Sequence, residues 1–226
     1  MKFYIFKNVL DLGVKIKGVL IENIDNETIS EEYLNWRNNQ VKTLIEIYRD
    51  FNVREDPVLE GFYALHEKVA VPRRKNIPAS ENLIRLLQKK EDLMEINKAV
   101  DIYNIISMKS KLALGAHDID KINGNISLRL TDGSEHFLPL GATEEKPVKP
   151  GEYSYIDDNN DILCWLEIRQ VEKDKVTENS KNIFYIVQGN EVTSDELMEE
   201  TAKELIEVTT SFAGGQGRIV GQVIEM

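Results

Sequence analysis

Cysteine is nearly absent from this chain. The 226-residue sequence contains one cysteine, Cys164. A single thiol excludes an internal disulfide framework and any zinc cluster built on cysteines. The three histidines show no HExxH or other metal-ligand spacing, and the run His-Asp-Ile-Asp at 117–120 has a spacing that is common in turns. The sequence therefore predicts no bound metal and no cofactor.

Long apolar runs are also absent. None approaches the ~18–20 residues that a membrane-spanning helix needs. Residues 1–20 alternate between apolar and polar and carry Lys and Asp within their apolar stretch, so they lack the apolar core and cleavage site of a signal peptide. The hydrophobic share of 42% is typical of folded proteins. These features predict a soluble, cytoplasmic protein with no membrane partner.

Familiar nucleotide and nucleophile motifs are missing as well. The sequence has neither GxxxxGK[ST] nor GxSxG. A glycine-rich segment at 214–217 would have to follow a strand and precede a helix to bind a dinucleotide. Here a predicted helix precedes it and a predicted strand follows it. We interpret this segment as a turn.

The charge is strongly acidic but unevenly distributed. There are 39 Asp and Glu against 28 Lys and Arg, which gives a formal net charge of −11. Such a balance argues against sequence-blind nucleic-acid binding and against DNA as a partner. Bases nevertheless concentrate in residues 66–90 and acids in residues 191–207. The basic segment either faces an anionic ligand or is solvated surface.

The order of the predicted elements indicates an α+β protein. Residues 2–7 and 14–22 read as two strands around a turn at 11–13. Short β-type runs fill residues 112–187, and a final strand is predicted at 218–224. Helices are predicted at 58–69 and 97–109, after the capping-box sequences 28–31 and 193–196, and after Ser80 as an N-cap. Helices followed by a run of antiparallel strands favour this fold class.

The densest polar group lies at residues 101–121. Asp101, Asn104 and Ser107 are three residues apart and share one face of the predicted helix. A Gly-Ala-His-Asp run follows at 115–118. These side chains either form a ligand site or tie the helix to the next loop, since buried polar groups need partners. The residues alone leave both interpretations open.

Three segments of the sequence resemble a known family. Residues 76–83, 96–104 and 114–122 are similar to the B3/B4 domain of the β subunit of phenylalanyl-tRNA synthetase, which also exists as free-standing proteins. The Val-Asp-x-x-Asn element at 100–104 and the Gly-Ala-x-Asp turn at 115–118 carry the resemblance. It implies a B3/B4-type α+β fold with antiparallel or mixed sheets packed against helices. A single domain over 1–226 is expected, with N-terminal strands and helices at 1–69, a B3/B4 core at 70–190 and an acidic helix with a closing strand at 191–226.

The resemblance implies tRNA editing. In the synthetase this domain hydrolyses the ester that links a wrong amino acid, tyrosine, to the tRNA for phenylalanine. This chain is thus expected to be a trans-acting deacylase of mischarged aminoacyl-tRNA, and not a ligase by itself. Such an ester yields to an oriented water and a stabilised oxyanion, so no covalent nucleophile is needed. The expected partners are the aminoacylated acceptor end of a tRNA and an aminoacyl-tRNA synthetase.

The resemblance also assigns site residues. It implies that Asn104 and His117 position the water or the ester. Arg73, Arg74 and Lys75 are expected to meet the phosphates of the acceptor end. Substrate-binding roles are implied for Tyr103, Ser107, Gly115, Ala116, Asp118 and Arg169.

Departures from the family pattern leave alternatives open. Gly115 stands where the bacterial synthetase has an editing-site histidine, Leu-Glu-Ile-Arg at 166–169 replaces a Trp-Asn-Trp-Arg strand, and Gln188 stands near an expected acid. The second hypothesis is therefore a binding module that holds an amino acid or a nucleoside without chemistry. The third is a partner protein whose acidic helix 193–210 docks on a synthetase or another enzyme.

Overall fold

The chain folds into two β-sheets with helices, which confirms the predicted fold class. The computed structural model describes residues 1–226. The helices are α1 (Lys7–Leu10), α2 (Glu31–Tyr48), α3 (Pro57–Lys68), α4 (Ala79–Lys90), α5 (Lys98–Ser110) and α6 (Asp195–Ala213). The strands are β1 (Phe3–Phe6), β2 (Lys15–Glu22), β3 (Ala113–Asp118), β4 (Ile126–Leu130), β5 (Tyr153–Asp157), β6 (Ile162–Trp165), β7 (Arg169–Gln170), β8 (Ile183–Gly189), β9 (Gln216–Val220) and β10 (Gln222–Glu225). None of the helices has the length and apolar character needed to cross a membrane.

The two sheets differ in strand direction. The six-stranded sheet has the order β10-β1-β4-β5-β6-β7, and β1 pairs in parallel with both β10 and β4. Its remaining pairs are antiparallel. The four-stranded sheet, in the order β3-β8-β2-β9, is antiparallel throughout. Together they give the mixed arrangement that the resemblance implies.

Strand β8 shows how the layers are stacked. All seven of its residues are buried. Because side chains alternate along a strand, Tyr185 and Val187 pack against helices α5 and α6, whereas Phe184 and Ile186 point into the space between the two sheets. A strand buried on both faces reads as one continuous apolar run, as this one does. The four-stranded sheet is therefore the middle layer.

The connection from β4 to β5 covers the outer face of the six-stranded sheet. Its Phe137 and Val148 pack on Ile156 of the sheet. The Thr131 hydroxyl donates to the carbonyl of Lys149 at 2.6 Å, which fixes the base of the connection. Residues 146–149 are thus held in place from both sides of the buried Val148.

The first and last strands depart from the prediction. β1 and β2 are separated by one helical turn, α1, and enter different sheets, so they do not form a hairpin. The predicted strand 218–224 is two strands, and the chain passes from one sheet to the other at Gly221. The predicted turn at 214–217 is confirmed at Gly215, which has a φ of +82° and lies so close to the carbonyl oxygen of Glu22 that a Cβ would be 2.4 Å away.

The helix starts follow the capping signals only in part. The helix predicted at 97–109 is α5, and Asn97 caps it by accepting a hydrogen bond from the backbone of Val100. In both capping-box sequences the N-cap is the serine and not the threonine. Helix α2 begins at Glu31, directly after Ser30, and α6 begins at Asp195, directly after Ser194. Ser80 is not an N-cap. Helix α4 begins before it, directly after a proline whose fixed φ suits a helix start, and the Ser80 hydroxyl is buried without a partner.

A buried ion pair joins α2 to α5. The guanidinium of Arg37 donates to Asp101 at 3.0 Å, and both side chains are at most 4% exposed. The Asp101 carboxylate also accepts from the hydroxyl of Tyr33 at 3.3 Å and from the backbone of Ile96 at 3.0 Å. Burial nevertheless raises the pKa of Asp101 above its usual range. Asp101 therefore ties helices together, which is the second of the two interpretations that its sequence left open.

We expect Asp101→Asn to lower the free energy of unfolding by about 3 kcal/mol, because it removes the buried counter-ion of Arg37 and leaves only the exposed carboxylate of Glu95, 3.4 Å away. The matched control is Asp11→Asn, which removes the exposed ion pair between Lys7 and Asp11 and should leave the stability nearly unchanged. Urea unfolding followed by circular dichroism measures both. Equal small effects would contradict a structural role for Asp101.

Candidate functional site

A cavity of about 850 Å³ opens where the two sheets approach each other. It lies between β3, the last strand of the four-stranded sheet, and β7, the last strand of the six-stranded sheet. The side-chain amide of Gln170 donates to the carbonyl of Ala116 at 3.2 Å and links the two strands. The walls of the cavity come from residues 71–83, α5, β3, residues 137–155, residues 164–170 and β8.

The structure brings five of the predicted site residues to this cavity. They are Tyr103, Asn104, Gly115, Arg169 and Lys75. Tyr103 and Asn104 come from α5, Gly115 from β3 and Arg169 from β7. Their roles in substrate binding stay predictions, but their common location is a structural fact.

Asn104 has the clearest potential to bind a ligand. Its side chain lines the cavity and is 7% exposed, yet its amide forms no hydrogen bond with another protein group. Most buried amides in proteins are hydrogen-bonded. The amide of Asn104 therefore keeps two N–H donors and one carbonyl acceptor for a bound molecule. Beside it, burial raises the pKa of the Tyr103 hydroxyl, which stays protonated at neutral pH and available as a donor.

Gly115 keeps the wall of the cavity low. A Cβ at this position would lie 3.2 Å from the side-chain nitrogen of Gln170, the same amide that bridges the two sheets. A larger side chain would displace Gln170 or enter the cavity. The glycine at this position therefore leaves room for a ligand.

His117 lies outside the cavity, contrary to the prediction that it acts with Asn104. It is fully buried, and its Nδ1 is 3.0 Å from a carboxylate oxygen of Asp174. Its Nε2 has no partner. His117 faces the space between the sheets, as Gly115 does, but it lies two residues further along β3, next to the buried Asp174. A direct catalytic contact from His117 does not fit this placement.

Three further predicted residues hold the surrounding fold and do not line the cavity. The Ser107 hydroxyl is fully buried and donates to the carbonyl of Leu112 at 2.6 Å, closing the turn from α5 to β3. Ala116 packs on the helix side of the sheet. The carboxylate of Asp118 accepts from the hydroxyl of Ser180 at 2.6 Å. Their side chains are engaged in packing or in hydrogen bonds within the protein.

The three predicted tRNA-binding bases also separate. Arg73 forms ion pairs with Glu60 and, at 2.8 Å, with Glu67. Arg74 is exposed and does not line the cavity. Only Lys75 reaches the cavity, and it forms no ion pair. The two carboxylates beside Arg73 already neutralise its charge, so Lys75 is the one base of the three that is both unpaired and at the cavity.

Sequence reasoning missed a buried polar network at the back of the cavity. One carboxylate oxygen of Glu167 lies 2.5 Å from Nε2 of His66, and the other accepts from the hydroxyl of Tyr153 at 2.5 Å. The side chain of Gln188 accepts from the hydroxyl of Tyr155 at 2.5 Å. Glu167 and Tyr155 line the cavity. The group comes from four segments that are distant in the sequence, so no local spacing signals it.

The segment 166–169 forms a turn, although the resemblance predicted a strand. Leu166 has a left-handed backbone with a φ of +51°, and only Arg169 belongs to a strand. This tight turn places Glu167 among buried side chains. Leucine rarely adopts such a conformation, so the surrounding packing must hold it.

The mouth of the cavity is positively charged although the chain is acidic. The Lys and Arg side chains of its wall are Lys75, Lys146, Lys149 and Arg169. All four are exposed, and none forms an ion pair. Its acidic side chains are Glu152 and Glu167, both of which are buried and hydrogen-bonded within the protein.

Parts of the chain are similar in sequence to the beta subunits of phenylalanine–tRNA ligases. The chain is 28% identical over 115 residues to the phenylalanine–tRNA ligase beta subunit of Mycoplasma pneumoniae, a match that covers 51% of this chain and 14% of that protein. It is 31% identical over 103 residues to the corresponding subunit of Methanococcus vannielii, covering 37% and 19%. The chain thus matches less than a fifth of the length of either relative.

A solved structure shows the same fold. An N-terminal fragment of the phenylalanyl-tRNA synthetase beta subunit from Pyrococcus horikoshii aligns with 99% of this chain and 52% of the fragment, with a TM-score of 0.55 and 17% identity. The sequence profile of the B3/4 domain matches residues 68–204, a stretch that includes every wall of the cavity. Because that match covers more than half of the sequence, the chain belongs to the B3/4 domain family.

Proposed function

We propose that this chain is a trans-acting deacylase that hydrolyses the ester of a mischarged aminoacyl-tRNA. The observation that carries the proposal is the amide of Asn104, which faces a large cavity without a protein partner. Membership in the B3/4 family and the likeness to phenylalanine–tRNA ligase beta subunits support tRNA as the substrate class.

The dimensions of the cavity suit the end of a tRNA. A volume of about 850 Å³ lies within the roughly 300–1,000 Å³ that small-molecule sites occupy. That space accepts an aminoacyl group with its nucleoside, and the remainder of a tRNA would stay outside. Fifteen of the 29 lining residues are hydrophobic, which suits the side chain of an amino acid.

The chemistry we propose uses water as the nucleophile. No serine, threonine or histidine lines the cavity, and burial raises the pKa of Cys164 so far that its thiol stays protonated. A water oxygen would attack the ester carbonyl, the bond to the ribose oxygen would break, and that oxygen would take up a proton. The amide of Asn104 would donate to the carbonyl oxygen as negative charge develops there. Tyr103 would help to orient the substrate.

In this proposal residues 1–69, 70–190 and 191–226 act together as a single domain. Strand β10 pairs with β1, and β9 pairs with β2, so the two ends of the chain complete both sheets. The acidic helix α6 is a poor candidate for docking on a basic partner. Its Asp195 and Glu199 already pair with Lys15 and Lys17 of the same chain.

A deacylation assay tests the proposal. Purified protein is mixed with a panel of correctly and wrongly charged tRNAs, beginning with tyrosine on the tRNA for phenylalanine. We expect faster ester loss from one mischarged species and a rate about 10²-fold lower for Asn104→Ala, the usual cost of losing one oxyanion donor. Asn38→Ala, which removes an exposed amide on α2, is the matched control.

His117→Ala separates this mechanism from the one that the family pattern suggested. Because His117 does not line the cavity, its removal should lower stability and leave the rate per folded molecule unchanged. A loss of rate as large as that of Asn104→Ala would show that the histidine takes part in the chemistry. No acceleration across the whole panel would overturn the deacylase proposal.

A second candidate function is a binding module for an amino acid or a nucleoside, and one observation favours it. Both oxygens of Glu167 are already engaged by His66 and Tyr153, so this carboxylate is not an obvious proton acceptor. Thermal unfolding with free amino acids and nucleosides tests this function. A ligand at 100 times its Kd should stabilise the protein by about 2.7 kcal/mol, and Asn104→Ala should lose that stabilisation. Stabilisation without hydrolysis would favour the binding module.

A further inference from the structure

The indole of Trp165 is held rigidly at the mouth of the cavity. Its Nε1 donates to a carboxylate oxygen of Glu152 at 2.7 Å. The ring of Phe137 lies beside it, with centroids 6.4 Å apart and planes tilted by 35°. Trp165 is nevertheless only partly buried and lines the cavity. The hydrogen bond and the ring contact fix the plane of the indole before any ligand arrives.

Arg169 lies beside this indole. In the pairing of β6 with β7, Trp165 is directly opposite Arg169. Residues opposite each other in an antiparallel pair project from the same face of the sheet, with Cβ atoms about 5 Å apart. An exposed guanidinium without an ion pair therefore stands next to a fixed aromatic ring.

Two lysines complete the same side of the mouth. Lys146 and Lys149 flank the buried Val148, and the backbone N–H of Lys146 donates to the carbonyl of Phe137 at 2.8 Å. The backbone of Lys146 is thus fixed to the residue that supports Trp165, and the carbonyl of Lys149 accepts from the hydroxyl of Thr131 at 2.6 Å. Of the neighbouring acids, Glu144 and Glu145 do not line the cavity. The carboxylate of Glu152 does, but it is buried and accepts the hydrogen bond of the indole, whereas the three cations are exposed.

We propose that Trp165, Arg169, Lys146 and Lys149 form a binding site for a single-stranded RNA end. A nucleobase stacks on the indole, and the phosphates on either side of it contact the three cations. Aromatic platforms flanked by cations bind single strands in this way, because every base has a stacking face and every linkage a phosphate. Lys75, which comes from the segment 71–83, adds a fourth cation to the cavity wall. The site rests on the proposed function, since the bound strand is the one whose ester would reach Asn104.

Tryptophan fluorescence tests the stacking directly, because the chain contains only two tryptophans. The other, Trp36, packs on Phe212 among the helices and does not line the cavity. The probe is a four-nucleotide RNA that ends in CCA and carries no amino acid. We expect it to quench the fluorescence of the wild type and of Trp36→Phe, and not that of Trp165→Phe. Quenching that survives in Trp165→Phe would overturn the proposal.

The salt dependence of binding tests the cations. Anisotropy of the labelled RNA gives the affinity of the double variant Lys146→Gln/Lys149→Gln. Each lost phosphate contact should reduce the slope of log K against log salt by about 0.7, so we expect a change of about 1.4. The matched control is Lys89→Gln/Lys90→Gln, which removes two exposed lysines at the far end of α4. An equal change in the control would overturn the site by showing diffuse charge attraction.

RNA without an attached amino acid can bind but has no ester to lose, so it tests the RNA site separately from the deacylase function. Quenching at Trp165 without hydrolysis in the tRNA panel would leave the RNA site standing and overturn only the catalytic function. The converse result would overturn only the RNA site. In that case the double lysine variant and Trp165→Leu would hydrolyse limiting substrate as fast as the wild type. Thermal unfolding of each variant confirms that it is folded before binding is measured.

Discussion

A single buried carboxylate, that of Glu167, holds the back of the cavity together. Removing a charge from water costs several kcal/mol unless partners replace the water, and Glu167 is satisfied by His66 and Tyr153. Those partners belong to α3 and to the six-stranded sheet, and the adjacent Gln188 belongs to the four-stranded sheet. Three layers of the fold thus meet at one side chain. The strained backbone of Leu166 persists because this arrangement requires it.

The site occupies the gap between the two sheets because each sheet ends there. A strand at the end of a sheet offers unpaired backbone groups, and proteins normally cover them. Here Gln170 of one last strand bonds to Ala116 of the other, and the gap that remains beside this bridge is the cavity. Asn104 reaches the gap from the helix layer, whereas Trp165 and Arg169 reach it from the six-stranded sheet. A ligand in this gap would therefore contact α5, β6 and β7.

The sequence predicts the elements better than it predicts their contacts. Local patterns located α3, α5 and the long run of strands, and the family resemblance brought Tyr103, Asn104 and Gly115 to one place. The resemblance also implied a site role for His117, but the structure places this histidine beside Asp174 and outside the cavity. Asp174 lies 57 residues further along the chain, so no local pattern around His117 indicates this contact. The pair of His66 and Glu167 is separated by 101 residues, a contact that only the folded chain creates.

Net charge is a poor guide to what this chain binds, and the ion pairs explain why. Three of the six acids of α6, Asp195, Glu199 and Glu204, pair with lysines of the same chain, whereas the cations at the cavity mouth have no carboxylate partner. At physiological ionic strength charges are screened over about 8 Å, so a ligand at the mouth experiences the cations beside it more than the acids on distant surfaces. An overall charge of −11 is therefore compatible with a local anion site.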